Sequence, residues 1–336
     1  IEALGEGVEL EEGEIAFRGN LATVRVENGY PIVVDRRAGR IGSEQTRELT
    51  RFLNDELSGF QGFRIRFQPL SEHRFVMVVS GEGLSHEVTD NDPHAEGKPV
   101  VLCQPVEEAR DREGAERLAN LVNSITAEAI RRLSHHELNR IRAEKGLQEA
   151  NAILLRSPGV KRRMVSFREK WDLNAACVAA GLLYKGIGRA TGMDIYRVEG
   201  ANGLLNTNIT GKLSKALELL GKYDFVYLHF KGTDVASHSR NPVAKYEFIK
   251  RFEENLRLID ESVLTDTTIV VTGDHTTPCD RGMHSGEPVP ILVSSRGLRK
   301  DDTRIFSERE AVRGGLGRMR GCELMQVLLD SIGRTV

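Results

Sequence analysis

Two loops of the sequence carry side chains of the types that bind divalent metal ions. The first loop, "KGTDVASH", holds Asp234 and His238 four residues apart, so both side chains point from one face if the segment is helical. The second begins "TGDHTTP", with Asp274 and His275, and continues to His284. Mixed imidazole and carboxylate ligands suit Mn²⁺, Zn²⁺ or Fe better than Mg²⁺ or Ca²⁺, which prefer oxygen ligands alone.

The number of these side chains indicates more than one ion. A catalytic zinc ion usually takes only about three ligands from the protein. Two ions about 3.5–4 Å apart would share five ligands well, and such sites are common in phosphoryl transfer. A single aspartate or histidine at the end of a strand is more often a helix cap or a turn residue. The clustering on two successive loops favours the metal site.

Each loop follows an apolar run that is typical of a buried strand, "DFVYLHF" before the first and "TTIVVTG" before the second. The segment between the two runs predicts an amphipathic helix, because apolar residues recur every three or four positions: Tyr246, Ile249, Phe252, Leu256, Ile259 and Val263. A strand, a helix and a second strand predict a parallel sheet. Ligands bind at the carboxyl ends of such strands, so the two loops are expected to meet there.

The first part of the chain also alternates strands and helices. "EIAFRGNLATVRV", "YPIVVD", "FRIRFQPL" and "RFVMVVSG" have strand character, and "SEQTRELTRFLNDEL" predicts a helix with Ser43 as its N-cap. A long helical stretch is predicted from about Asp111 to Lys145. The whole pattern predicts an α/β protein, and 336 residues favour about two domains.

Composition excludes several classes of protein. Lys+Arg 47 against Asp+Glu 49 gives a net charge of −2, which does not favour a nucleic-acid partner. No apolar run approaches the ~18 residues that span a membrane, so no membrane association is expected. The cysteines are far apart and predict free thiols in a reducing compartment, the cytoplasm; they are Cys103, Cys177, Cys279 and Cys322.

The motifs "TDVASH", "TGDHTTP" and "MHSGEPVP" resemble the metal motifs of the alkaline phosphatase superfamily. The similarity is greatest to the archaeal type of cofactor-independent phosphoglycerate mutase. It extends over nearly the whole chain through "GEIAFRGNLATV", "VVDRRAGRI", "VTDNDPHAEGKPV", "EANAILLRSPG", "LLYKGIGRATGMD" and "GGLGRMRGCELM". The resemblance implies an alkaline phosphatase-like, mostly parallel sheet flanked by helices, with an inserted smaller α/β cap domain. By this resemblance residues 1–12 end the N-terminal part of the phosphatase-like domain, 13–145 form the cap, and 146–336 form the metal-binding domain.

The family reaction interconverts 3-phosphoglycerate and 2-phosphoglycerate in glycolysis and gluconeogenesis, without 2,3-bisphosphoglycerate and through a phosphoserine. The resemblance implies that Asp234, His238 and His284 hold one divalent ion and that Asp274 and His275 contribute to the other. The expected ions are Mn²⁺ first, with Zn²⁺, Co²⁺ or Mg²⁺ as alternatives. The family also uses a further aspartate ligand and the nucleophilic serine, both from an N-terminal segment. Neither has a match here, so we expect them in residues that precede Ile1.

The substrate of that family carries a phosphate and a carboxylate, and both anions suit bidentate arginine. For most single arginines, a solvated loop is the safer interpretation. By resemblance we expect the following residues to bind the substrate: Arg18, Asn20, Arg37, Arg40, Arg74 and His94. Lys185 would add positive charge near the phosphoryl group. The glycine-rich "KGIGRATG" does not match a dinucleotide-binding fingerprint, because its third glycine is misplaced by one residue.

Two alternatives stay open at the level of sequence. A metal-dependent phosphatase or phosphodiesterase of the same superfamily would carry the same metal loops. A non-catalytic relative that binds a metal or ligand would explain why the nucleophilic serine has no match. The sequence does not fix the oligomeric state.

Overall fold

The computed structural model describes residues 1–296 and 298–334, and these residues form two compact units. The first unit comprises Ile1–Ser166 and Lys185–Thr191, and the second comprises Phe167–Tyr184 and the chain from Gly192 onward. The domain limits at 12 and 145 stay a prediction, and residues 297, 335 and 336 of the third segment lie outside the described residues. Of the helices described, none combines the length and the apolar character that a membrane span requires.

An antiparallel sheet forms the centre of the first unit. Its strands are β1 (Ile15–Glu27), β2 (Tyr30–Asp35), β3 (Arg64–Pro69), β4 (Arg74–Ser80) and β5 (Ala152–Val160). The order is β2-β1-β4-β3, and β5 also pairs with β1. This is possible because β1 is 13 residues long. Its first part pairs with β4 and β5, and its last part pairs with β2.

Strand alternation gives this sheet one face against the main core and a second face that carries charged residues beside a smaller apolar cluster. Phe17, Leu21 and Met77 point into the main core of the unit. The intervening residues point the other way, since successive side chains of a strand alternate between faces. In the register of the sheet, Arg18 of β1 is opposite Arg156 of β5. Asn20 of β1 is opposite Arg74, the first residue of β4. The sheet therefore places these polar side chains side by side.

The helices of the first unit correct two predictions. They are α1 (Glu2–Gly5), α2 (Ser43–Leu57), α3 (Arg112–Leu133) and α4 (Glu137–Glu144), with a 3₁₀ turn at Phe60–Gly62. Ser43 is not the N-cap of α2; Gly42 is, and the Ser43 hydroxyl accepts the Glu72 N–H at 2.8 Å instead. The long helix predicted to Lys145 ends at Leu133. A second helix begins after His136, whose Nδ1 accepts the N–H of Leu138 at 3.1 Å and so caps it.

The second unit contains a parallel three-stranded sheet and an antiparallel pair. The strands are β6 (Ala175–Val178), β7 (Asp194–Tyr196), β8 (Phe225–Leu228), β9 (Ile269–Thr272) and β10 (Ile291–Ser294). The sheet order is β7-β6-β8, and β9 pairs with β10. The helices are α5 (Phe167–Trp171), α6 (Leu182–Ala190, shared with the first unit), α7 (Ile209–Leu219), α8 (Gly232–His238), α9 (Pro242–Asn255), α10 (Glu261–Asp266), α11 (Glu308–Ala311) and α12 (Leu324–Ser331), with 3₁₀ turns at Leu256–Leu258 and Gly321–Glu323.

The segment between β8 and β9 also differs from the prediction. One helix was expected, but the chain forms α9, a 3₁₀ turn and α10, with Asp260 capping α10. The expected buried stripe is wrong in part: Tyr246 is 62% exposed and Ile249 is 48% exposed, while Phe248 is the buried residue of α9. Within the described residues β8 pairs in parallel with β6 and β9 pairs with β10, so the expected β8–β9 pairing is not seen.

A buried histidine next to β4 makes the first unit sensitive to pH. His73 is 8% exposed, and its Nδ1 has no hydrogen-bond partner among the described residues. Burial lowers the pKa of His73 to about 4, and the positive charge of Arg74 acts in the same direction. The folded state therefore holds this imidazole neutral. Because the unfolded chain takes up a proton near pH 6.5, acid favours unfolding.

We predict that His73→Leu flattens the pH dependence of the first unit's stability. Below pH 6.5 only the unfolded state binds the proton, so stability falls as the pH approaches 4. From pH 7 to 5 this residue should cost about 2 kcal/mol of unfolding free energy. Hydrogen exchange of the β4 amides measures that energy. The exposed-site variant His135→Leu should keep the parent slope, and an unchanged slope in His73→Leu would contradict the assignment.

Candidate functional site

The predicted metal ligands of the first loop lie on α8, which follows β8 after a short connection. The i, i+4 spacing puts both side chains on one face, and His238 Nε2 is 3.3 Å from Asp234 Oδ1. His284 comes from the later loop, with its Nε2 3.1 Å from His238 Nε2 and 3.6 Å from Asp234 Oδ1. The two loops therefore meet at this helix, as the sequence predicts.

The spacing of these three donor atoms fits a single ion. Ligand atoms about 2.0–2.1 Å from a tetrahedral ion lie about 3.4 Å from one another. The three observed separations, 3.1, 3.3 and 3.6 Å, bracket that value. His238 Nδ1 lies 2.9 Å from the Gly282 carbonyl oxygen, which accepts only from a protonated nitrogen. Nε2 then keeps its lone pair for a metal, the usual arrangement of a ligating histidine.

The other two predicted ligands lie beside this group. His275 Nε2 is 3.6 Å from Asp274 Oδ2. The His275 ring stacks on the His284 ring, with 3.8 Å between their centroids. Asp234, His275 and His284 each offer a ligand atom within 4.8 Å of the others. All the predicted ligands thus form one continuous cluster in the second unit.

Thr277 joins the two groups of predicted ligands, and sequence reasoning missed it. It is 5% exposed, and its hydroxyl donates to Asp234 Oδ1 at 3.2 Å. The hydroxyl oxygen of Thr277 also lies 3.1 Å from His275 Nδ1. A hydroxyl has one proton, so this second contact requires the imidazole Nδ1–H to donate. His275 Nε2 is then unprotonated and faces the cluster. The only sequence signal was a threonine two residues after a ligand.

The charges of the site keep both carboxylates ionised. Burial opposes ionisation of Asp234, but Lys231 Nζ, 3.0 Å from Oδ2, outweighs it and the pKa stays below its usual value. Burial also opposes ionisation of Asp274. The Tyr184 hydroxyl, which donates to its Oδ2 at 2.5 Å, and the nearby His275 hold the pKa of Asp274 below its usual value. Ionised carboxylates are the form that binds a metal.

In the first unit, three of the predicted anion-binding residues share one face of the sheet. Arg18, Asn20 and Arg74 are brought together by the pairing of β1 with β4. Asn20 is buried, and its side-chain amide donates to the Arg36 carbonyl at 3.2 Å. Arg74 is held by Ser71, whose hydroxyl accepts at 2.6 Å. This face combines positive charge with a neutral hydrogen-bonding group, as recognition of an anion requires.

A buried ion pair borders the predicted residue His94. Arg36 makes two hydrogen bonds to Asp92, at 3.0 and 2.6 Å, and the Asp92 side chain has no exposed surface. His94 Nε2 lies 3.1 Å from Asp90 Oδ2. Arg156, which sequence reasoning missed, approaches Asp92 at 3.7 Å from β5. No local pattern in "ILLRSPG" marks it, because its place opposite Arg18 depends on the register of β5 against β1.

The remaining predicted substrate residues occupy different settings. Arg37 and Arg40 are exposed in a turn, where the Arg37 N–H donates to Asp35 at 2.6 Å and Arg40 has a φ of +57°. Lys185 is buried on α6 in the first unit. A substrate role for these three residues stays a prediction.

Comparisons with known proteins agree with the motifs. A family profile described as 2,3-bisphosphoglycerate-independent phosphoglycerate mutase matches residues 1–139. A protein of that name from Pyrococcus horikoshii is 41% identical over 336 residues, which cover 99% of this chain and 79% of the relative. One from Methanocaldococcus jannaschii, phosphoglycerate mutase 1, is 39% identical over 99% of this chain and 80% of its own length. The chain belongs to the 2,3-bisphosphoglycerate-independent phosphoglycerate mutases.

Solved structures give the same result for the fold. A Pyrococcus horikoshii protein matches with a TM-score of 0.80 and 33% identity, covering 100% of this chain and 78% of that one. A cofactor-independent phosphoglycerate mutase from Thermoplasma acidophilum matches with a TM-score of 0.67 and 32% identity over 99% and 81% of the two chains. Phosphoglycerate mutases are isomerases, so this chain belongs to an enzyme family with a mixed α/β fold.

We predict that Thr277→Val weakens metal binding without unfolding the protein. The change keeps the shape of the side chain and removes the hydroxyl that orients both Asp234 and His275. Loss of such an outer contact typically costs about 10–100-fold in metal affinity. Mn²⁺ affinity measured by calorimetry tests this. Thr276→Val is the control, because its hydroxyl donates to the Glu287 carbonyl instead. Equal affinities for the parent and Thr277→Val would contradict the role.

Proposed function

We propose that this phosphoglycerate mutase interconverts 3-phosphoglycerate and 2-phosphoglycerate at a two-metal site, through a phosphoserine. The observation that carries the proposal is the convergence of Asp234, His238 and His284, whose donor atoms lie 3.1–3.6 Å apart. The family names of the relatives support the substrate. No serine of the chain is assigned to the phosphoryl-accepting role, which rests on the family resemblance alone.

In this proposal Asp234, His238 and His284 hold one divalent ion, while Asp274 and His275 contribute to the other. The proposed ion is Mn²⁺, because imidazole and carboxylate ligands together suit it better than they suit Mg²⁺. When bound, such ions stabilise negative charge on the phosphoryl oxygens and on the attacking and leaving oxygens. The chain's own contribution is to fix the ligands: Thr277 and the Gly282 carbonyl hold the imidazoles in the tautomers that leave Nε2 free.

The residues of the first unit are proposed to recognise the substrate anions. Arg18, Asn20 and Arg74 on the sheet face supply the hydrogen-bond donors, and His94 lies on the adjoining loop with Asp90. Arg37 and Arg40 are proposed partners on the strength of the resemblance, and Lys185 is proposed to add positive charge near the phosphoryl group. Asp92 holds Arg36 in a fixed orientation through two hydrogen bonds, which lowers the entropy lost when an anion binds nearby.

The proposal extends to architecture and location. Residues 13–145 are proposed as the inserted cap domain and 146–336 as the metal-binding domain, with an alkaline phosphatase-like, mostly parallel sheet. The parallel sheet β7-β6-β8 supports the second assignment. Strand β5 pairs with β1 in the first unit, so part of the segment after residue 145 packs with the proposed cap. The four cysteines are free thiols, which supports a cytoplasmic location.

We expect the full-length protein that contains this sequence to convert 3-phosphoglycerate into 2-phosphoglycerate when Mn²⁺ is supplied. Phosphorus NMR distinguishes the two esters from free phosphate. Release of free phosphate without 2-phosphoglycerate would contradict the mutase and favour a phosphatase of the same superfamily.

The variant His284→Ala tests which residues carry that activity. Removing a ligand should lower turnover by more than about 100-fold, since even loss of an outer-shell contact costs up to about that factor. Circular dichroism checks that the variant is folded. His135→Ala, at an exposed position of the other unit, is the control. Near-normal turnover in His284→Ala would overturn the metal assignment.

A further inference from the structure

We propose that Tyr184 is the positioning residue for the Asp274 carboxylate, and that the stacked ring of His229 holds the tyrosine in place. The inference rests on the proposed metal role of Asp274. It assigns a function to two side chains of the second unit that lie outside the predicted ligand set.

The first observation is a short hydrogen bond. The Tyr184 hydroxyl donates to Asp274 Oδ2 at 2.5 Å, and the N–H of His275 donates to the other carboxylate oxygen at 3.1 Å. The two donors fix the plane of the carboxylate. Each carboxylate oxygen has about two lone pairs, so one on each oxygen is left for a metal ion.

The second observation is that the tyrosine ring has little freedom of its own. It stacks on the ring of His229, with 3.4 Å between centroids and 23° between planes. Burial lowers the pKa of His229 to about 4, so the stacked imidazole is neutral. A neutral aromatic surface holds the ring by dispersion and area burial. The phenol is therefore aimed at the carboxylate before any ion arrives.

The third observation is that the backbone of His229 is itself fixed. Its N–H donates to the Val178 carbonyl of β6 at 3.1 Å, and its carbonyl accepts a hydrogen bond from Lys212 Nζ. Lys212 is 1% exposed, and its ammonium lies 4.3 Å from the centre of the Phe230 ring. A buried cation with a carbonyl and an aromatic face as partners stabilises the end of β8. Lys212 therefore holds the backbone of His229, and the His229 ring holds Tyr184. Tyr184 in turn orients the Asp274 carboxylate.

These contacts give Tyr184 a positioning role, because its hydroxyl holds the Asp274 carboxylate in one orientation. Tyr184 touches a ligand, and its effect on the reaction would pass through Asp274. Hydrogen-bonded supports of metal ligands are typically worth about 10–100-fold in metal affinity. Loss of the hydroxyl should therefore appear as weaker retention of one ion.

The experiment compares Tyr184→Phe with Tyr223→Phe in the Mn²⁺-loaded, full-length protein. Tyr223 is a matched control, because its hydroxyl also donates to an aspartate oxygen at 2.5 Å in the same unit, that of Asp194. A chelator titration measures the retention of each ion. Tyr184→Phe should release one ion at about 10–100-fold lower chelator concentration. Tyr223→Phe should match the parent. Thermal unfolding of both variants reports any purely structural effect.

The outcomes separate this inference from the proposed function. If Asp274→Asn loses an ion but Tyr184→Phe retains both, the role of Tyr184 is overturned and the metal site stands. Equal loss in Tyr184→Phe and Tyr223→Phe would also overturn it. If Asp274→Asn retains both ions, the proposed metal assignment fails instead.

Should Tyr184→Phe not fold, Tyr184→p-aminophenylalanine keeps the ring and a donor and should retain both ions. A folded protein that loses one ion would overturn the inference.

Discussion

The carboxylate of Asp234 is the group on which the site depends. Its Oδ1 faces His238, His284 and the Thr277 hydroxyl at 3.2–3.6 Å, and its Oδ2 is paired with Lys231. Side chains of both loops therefore converge on one anion. A divalent ion bound among the imidazole nitrogens would add a second positive charge beside this carboxylate. The helix that carries Asp234 follows a strand of the parallel sheet, so the position of this anion is set by the sheet.

The position of the two loops that carry the proposed ligands could be predicted from sequence because their signals are local. The i, i+4 spacing of Asp234 and His238 survives in α8, and apolar runs correctly marked β8 and β9. The predictions that were wrong, such as the N-cap of α2, depend on tertiary contacts. Ser43 satisfies the N–H of Glu72, a residue distant in sequence, and so leaves the cap of α2 to a glycine. The long predicted helix is interrupted before α4, where the His136 imidazole caps the second helix. Amino-acid composition does not reveal such a cap.

The supporting residues of the site were missed for a related reason. Thr277 and Tyr184 belong to types that are common in any loop or helix, and their role is visible only when the partner is placed beside them. Arg156 required the register of β5 against β1, which sets it opposite Arg18. Sequence reasoning finds residues whose chemistry is specific to a site. It does not find residues whose function consists of holding another side chain.

The central claim is that one ion lies among Asp234, His238 and His284, with a second beside Asp274 and His275. Anomalous diffraction from Mn²⁺-soaked crystals of the full-length protein, recorded on both sides of the manganese edge, tests it most directly. The account predicts two manganese peaks, one at each group of side chains. A manganese-loaded crystal with no peak among the first three residues would contradict it.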